Sequence, residues 1–262
     1  MQGQIGFFNR PWTQWTLETA LDGMVSAGAS CLGLLRQQGE LVLGHDSTRA
    51  DAQELARSIR DRGLSFLVSL VPVDLDRAPG EARARFLHLV DLVHRMGGRY
   101  ALSTGAPKLS QKDQYVSLMK ATVGHAARQG VQIVLKPHGG ISATARDCVE
   151  IVERVASDNF RVWYDPGNVL WYAGVRPEED VAAVARYVTG VCVKDCRLGP
   201  EKSVTITPGT GEVDFRRVYA ALREAGFSGP NIIETLAGET PEQVDAEART
   251  AVQFVTQLLA QG

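Results

Sequence analysis

The sequence predicts a (β/α)8 TIM barrel, an α/β fold built as one domain over residues 1–262, and three observations predict it. Eight short β-rich apolar runs alternate with longer amphipathic stretches, at a period of roughly 30 residues. Several runs, such as VQIVL and FLVSLV, are apolar at nearly every position, as in parallel strands covered on both faces. The length of 262 residues is near that of one closed barrel.

The runs, in order, are Gln4–Phe8, Cys31–Leu35, Ser65–Leu70, Arg99–Ser103, Gln132–Lys136, Arg161–Tyr164, Gly190–Lys194 and Asn231–Glu234. Helical periodicity falls near 15–27, 49–62, 80–95, 111–129, 144–156, 177–187, 214–225 and 241–260. Gly28, Gly63, Gly97, Gly130 and Gly226 each stand just before a strand, where a left-handed residue stops a helix. The competing architecture, a doubly wound open sheet, calls for a glycine-rich turn after the first strand. The segment GFFNRPW (Gly6–Trp12) has no GxGxxG. The longest loop-like stretch, Arg197–Val213, follows the seventh run and is read as a lid or an oligomer contact.

Composition narrows the partners. The net charge is −2 with both signs scattered, so no basic stripe suits nucleic acid. No apolar run approaches the ~18 residues of a membrane span, and the first residues lack the pattern of a secretory leader. The four cysteines, Cys31, Cys148, Cys192 and Cys196, have neither zinc-ribbon nor secreted-framework spacing. The expectation is a cytoplasmic protein in a reducing compartment, with a small-molecule substrate and room for a homo-oligomer.

In a barrel the chemistry gathers at the carboxyl ends of the strands. The first half places Asn9, Arg10 and Trp12, then Arg36, at such ends. The second half is richer: Lys136 and His138, Asp165 and Asn168, Cys192, Lys194 and Asp195, and finally Glu234. Each has an ordinary reading alone. Asp165 could cap the next helix, Asn168 could hold a turn, Cys192 could fill space, and Lys194–Asp195 could be a surface pair worth little. Arg10 and Trp12 could stack at the rim. Five titratable groups (Lys136, His138, Asp165, Lys194 and Glu234) meeting at one mouth point instead to a ligand.

The segments LKPH (135–138), YDPGN (164–168), VCVKD (191–195), GTGEVDF (209–215) and IIE (232–234) resemble the xylose isomerase-like barrel superfamily of sugar phosphate isomerases and epimerases, which also holds inosose dehydratase and endonuclease IV. The resemblance runs in order through the whole chain. It implies a divalent cation held by glutamate, aspartate, histidine and glutamate on the last four strands. Asp165 and Glu234 match two of these positions. Lys136 stands where the first glutamate belongs, and Cys192 where the histidine belongs. An ammonium repels a cation, and a thiol suits hard Mg or Mn poorly.

The expectation is therefore that Lys136 takes the metal's place and that no cofactor is needed. The alternative is a softer Mn, Mg or Zn site of Asp165, Glu234, His138 and Cys192. The implied activity is isomerisation or epimerisation of a sugar by proton transfer next to a carbonyl. Lys136, Glu234, His138 and Asp165 are the expected catalytic residues, Glu234 as base. Arg10, Trp12, Arg36, Asn168 and Lys194 are expected to bind substrate. The other readings are a lyase or dehydratase acting on a keto-sugar or glycoside, and a non-catalytic carbohydrate-binding barrel. DNA repair is disfavoured, because His138 is the one histidine at a strand end of the second half.

Overall fold

The computed structural model describes residues 3–261. Among the described residues ten strands are formed: β1 (Ile5–Phe8), β2 (Cys31–Leu34), β3 (Arg36–Gln37), β4 (Glu40–Leu41), β5 (Ser65–Leu70), β6 (Tyr100–Ser103), β7 (Gln132–Leu135), β8 (Phe160–Tyr164), β9 (Val188–Val193) and β10 (Asn231–Ile233). Eight of them close into a barrel in the order β1-β2-β5-β6-β7-β8-β9-β10, with β10 returning to β1. Every barrel pairing is parallel. This is the predicted (β/α)8 architecture, with each predicted run supplying one barrel strand.

The helices are α1 (Leu17–Ser26), α2 (Arg49–Asp61), α3 (Pro79–Arg95), α4 (Lys112–Arg128), α5 (Ala145–Val155), the single turn α6 (Pro166–Asn168), α7 (Pro177–Asp180), α8 (Phe215–Glu224) and α9 (Pro241–Ala260). Local chemistry starts them. Thr48 with Asp51 and Thr144 with Asp147 form reciprocal capping boxes on α2 and α5. The five glycines read as stops all have positive φ, between 70° and 81°.

Two parts depart from the reading. The expected helix over 177–187 breaks after α7 into two 3-10 turns, Val181–Ala183 and Ala185–Tyr187. Asp180 explains the break, because its Oδ2 is drawn to Ala145 N at the start of α5 (2.8 Å) and receives Tyr164 Oη (3.4 Å). The β3–β4 hairpin was not anticipated. Its turn residues Gln38 and Gly39 both have positive φ.

Strand alternation builds the interior in layers. Phe8, Leu102, Val134, Trp163, Cys192 and Ile232 fill the barrel's inside and are all buried. The opposite strand faces pack against the helices in a second, larger cluster. A methyl group at Gly190 would overlap the Trp163 ring, so glycine is required for that ring to lie across the barrel. Two residues beyond Val134, Trp163, Cys192 and Ile232 come Lys136, Asp165, Lys194 and Glu234. The period of two places all four in the next inward layer, at the carboxyl-end mouth. A separate cavity of about 510 Å³ lies at the amino-terminal end, lined in part by Gln4, Arg99, Arg186 and Thr189. That end of a barrel serves stability.

Candidate active site

Glu234 is the hub of the mouth. Its Oε1 accepts from Arg10 Nη1 at 2.6 Å and from Lys194 Nζ at 3.1 Å. Its Oε2 accepts from Lys136 Nζ and, at 3.0 Å, from Cys192 Sγ. The side chain is withdrawn from solvent. Burial favours its neutral form, but Lys136, Lys194 and Arg10 outweigh that and hold the carboxyl well below the usual range. Lys136 shows the reverse balance. Burial opposes its charge, yet the neighbouring acids, Glu234 foremost, raise its pKa. Burial, then Asp165 and Glu234, keep the Cys192 thiol well above its ordinary value, so it donates as S–H.

Asp165 lies beside this hub and is fully buried. Its Oδ1 accepts from Asn168 N at 2.8 Å and so caps its own turn. Its Oδ2 is 3.2 Å from Lys136 Nζ, but off the direction of a hydrogen bond, and among the described residues it accepts none. Asn168 joins the network on both sides. It donates through Nδ2 to Pro137 O at 2.7 Å and accepts from Lys194 Nζ at 2.8 Å. Lys194 and Asp195, adjacent in sequence, diverge as strand alternation requires. Lys194 turns into the mouth. Asp195 turns the other way, and its carboxylate accepts four backbone N–H groups, those of Cys196 (2.8 Å), Gly209 (2.9 Å), Gly211 (2.8 Å) and Val213 (3.1 Å). The base of the 197–213 loop is thereby pinned.

At the rim, His138 is exposed and stacks on Tyr172 with ring centroids 4.9 Å apart, its Nε2 being 3.4 Å from Tyr172 Oη. The protein packed around it, and then the Lys136 charge, push its pKa down to about 4, so it is neutral at pH 7. Lys202 lies 4.2 Å over the Trp171 ring and donates to Trp171 O at 3.0 Å.

The structure thus brings together Arg10, Lys136, Asp165, Asn168, Lys194 and Glu234. It corrects two other expectations, those for Trp12 and His138, and places Arg36 on the hairpin. Trp12 is not part of a substrate wall. It is fully buried, set edge-on to Phe7, and donates through Nε1 to Asp245 at 2.8 Å. Arg36 folds back on its own hairpin, donating through Nη1 to Gly39 O at 3.0 Å. His138 is not among the groups that could share an ion. Among the described residues that set is Asp165, Cys192 and Glu234, whose ligand atoms lie within 4.8 Å of one another. Sequence reading missed how closely Asn9 ties the first strand end to the hairpin. Its Oδ1 accepts from Leu35 N at 2.7 Å and its Nδ2 donates to Arg36 O at 2.9 Å.

The spacing of Asp165, Cys192 and Glu234 is that of an ion site, but the donor set does not fit a hard divalent cation. One of the three donors is a thiol, a poor ligand for Mg or Mn, and the Lys136 ammonium already contacts both carboxylates.

A family model described as "Xylose isomerase-like TIM barrel" matches residues 21–258. The L-ribulose-5-phosphate 3-epimerase UlaE of Salmonella paratyphi A is 34% identical over 102 residues, which is 38% of this chain and 34% of that protein. The match therefore spans about a third of the length of such curated relatives. The crystal structure of a xylose isomerase domain protein from Planctomyces limnophilus aligns with a TM-score of 0.78 at 22% identity, over 98% of this chain and 97% of that one. A D-psicose 3-epimerase crystallised in the presence of D-fructose aligns with a TM-score of 0.80 at 14% identity, over 98% and 99% of the two chains. Likeness at such identities shows the fold. On the family match across nearly its whole length, this chain belongs to the xylose isomerase-like TIM barrel family.

Proposed function

We propose that this barrel is a carbohydrate isomerase or epimerase that moves a proton next to a carbonyl, with the Lys136 ammonium in the place the family resemblance gives to a metal. One observation carries this reading. The Lys136 amine lies against both Asp165 and Glu234, the two acids that match the family's ligand positions. Two neighbouring carboxylates repel each other when left alone, and a fixed cation between them relieves that repulsion. The relatives and structural neighbours, 3-epimerases of ketoses and of a ketose phosphate, suggest the reaction class.

In this scheme the substrate carbonyl oxygen faces Lys136, with Lys194 beside it. As a proton leaves the adjacent carbon, its electron pair passes to that oxygen, and the ammonium stabilises the enediolate. The base role moves from Glu234 to Asp165. Glu234 already accepts four donors, so taking a proton would cost it those bonds. Asp165 Oδ2 has the Lys136 ammonium 3.2 Å away but, among the described residues, accepts no hydrogen bond that protonation would break. Glu234 instead fixes the cations, and neutral His138 exchanges protons with the enediolate oxygens at the open side. Removal of the same proton also begins a β-elimination. A structural neighbour named as a probable 3-DHS dehydratase supports the lyase as second reading.

The test is proton exchange in D2O. Ketoses incubated with the protein are expected to lose the hydrogen next to the carbonyl, with or without a chelator, and Lys136→Met is expected to abolish the exchange. Exchange that a chelator stops and Mn restores, or that survives Lys136→Met, sinks the lysine reading. Binding of ketoses without exchange would favour a carbohydrate-binding barrel.

A further inference from the structure

The mouth holds more positive than negative charge. Arg10, Lys136 and Lys194 face Asp165 and Glu234 within 3.2 Å, which leaves one positive charge over. The Asp195 carboxylate lies on the other face of its strand, held there by four backbone N–H groups. Lys202 adds a further cation at the rim. Uncompensated charge at a pocket mouth selects ligands of opposite sign.

The surplus has a direction. Lys136 and Lys194 are buried, but the Arg10 side chain is 39% exposed. Arg10 spends Nη1 on Glu234 and, among the described residues, makes no other side-chain hydrogen bond. The remaining edge of its planar fork matches a carboxylate.

The loop after β9 is also poorly suited to a phosphate. Barrels bind phosphate on free backbone N–H groups after the seventh and eighth strands. Here the N–H groups of Gly209, Gly211 and Val213 are taken by Asp195. That of Asn168 is taken by Asp165. After β10, Ala237 N goes to Thr207 Oγ1 and Glu239 N goes to Gln243 Oε1, while among the described residues Leu236 N and Gly238 N have no acceptor. A phosphate dianion would find one net charge and a loop already filled by an internal carboxylate.

We infer that the substrate is a sugar acid, a polyhydroxy keto-carboxylate with one negative charge, whose carboxylate docks on the open edge of Arg10. This rests on the carbohydrate reading above and narrows its substrate class.

Calorimetric titration tests it with three probes: D-fructose, 2-keto-D-gluconate and D-fructose 6-phosphate. The acid is expected to bind about tenfold or more tightly than fructose, the difference made by one charge-assisted contact, and the phosphate no better than the acid. Arg10→Gln is expected to bring the ratio of acid to fructose affinity near one, and Arg10→Lys to keep part of it. Should Arg10→Gln fail to fold, the wild-type ratio and Arg10→Lys decide. Equal affinity for acid and fructose, preference for the phosphate, or no binding of any probe overturns the inference. Binding is read here without turnover. A bound acid that exchanges no proton would thus sink the isomerase reading and leave this one standing.

Discussion

The Lys136 ammonium is seated on the inner oxygen of Glu234 with both side chains closed off from solvent. Removing one partner of such a pair strands the other charge. Lys136→Met is therefore expected to cost about 3 kcal/mol, at the lower end for a buried pair because Lys194 and Arg10 still hold Glu234. Chemical denaturation at pH 7 reads this directly. A loss within 0.5 kcal/mol, roughly the scatter of neutral surface changes, would mean that the pair does not anchor the mouth.

The same geometry predicts how a metal site can be restored. The double substitution Lys136→Glu with Cys192→His removes the ammonium and the thiol and leaves four donors around one point. It is expected to bind Mn2+ with a stoichiometry of one in calorimetry, whereas the unaltered protein gives no heat beyond dilution. Stoichiometric Mn2+ on the unaltered protein would reverse the assignment.

Acid should loosen the fold in two stages. His138 titrates near 6.5 when unfolded and at about 4 when folded. The unfolded chain therefore takes up this proton first, and stability is lost as pH falls through that window. Glu234 has its folded value held well below its unfolded value of about 4.3. Its contribution is intact above that value and drains away as pH falls further. Denaturant midpoints at pH 7.5, 5.5 and 4.5 should decline. His138→Gln should flatten the upper part of the decline, modestly because the ring is open to solvent. Lys136, raised rather than lowered, contributes fully below its unfolded value of about 10.4 and weakens only in stronger base. A midpoint that rises on acidification would contradict these signs.

Asp195→Asn should loosen the loop that follows β9. The carboxylate receives two N–H groups on each oxygen, whereas an amide offers one oxygen, so two N–H donors lose their acceptor. The expected cost is about 2–4 kcal/mol. Hydrogen exchange should accelerate at Gly209 and Gly211 ahead of the rest of the barrel. Exchange that stays as slow as in the unaltered protein would show that the loop is held by other contacts.

The barrel was legible because its strands advertise themselves. Runs such as VQIVL bury both faces, and glycines close the helices that precede them. The mouth was legible for the same reason of periodicity: one polar residue placed two positions beyond an inward apolar one must turn inward too. Trp12 was misread because its partner Asp245 is 233 positions away, and no local pattern announces such a bond. The hairpin that carries Arg36 was not legible because a two-residue strand and a turn of Gln38 and Gly39 have no apolar alternation. The broken helix after residue 177 follows from Asp180 reaching α5, a tertiary contact that overrides local propensity. The surroundings of Glu234 were the least legible. Its residue type suggests a base, and its four donors became visible only when distant strands met.

The Trp12–Asp245 bond has a reach beyond its own hydrogen bond. Trp12 closes the same short turn, Arg10–Trp12, that carries the guanidinium at the mouth. Asp245 belongs to the final helix, on the outer wall of the barrel. The last helix thus acts as a tether for the first turn, and the seating of a side chain at the mouth depends on a residue of the outer wall.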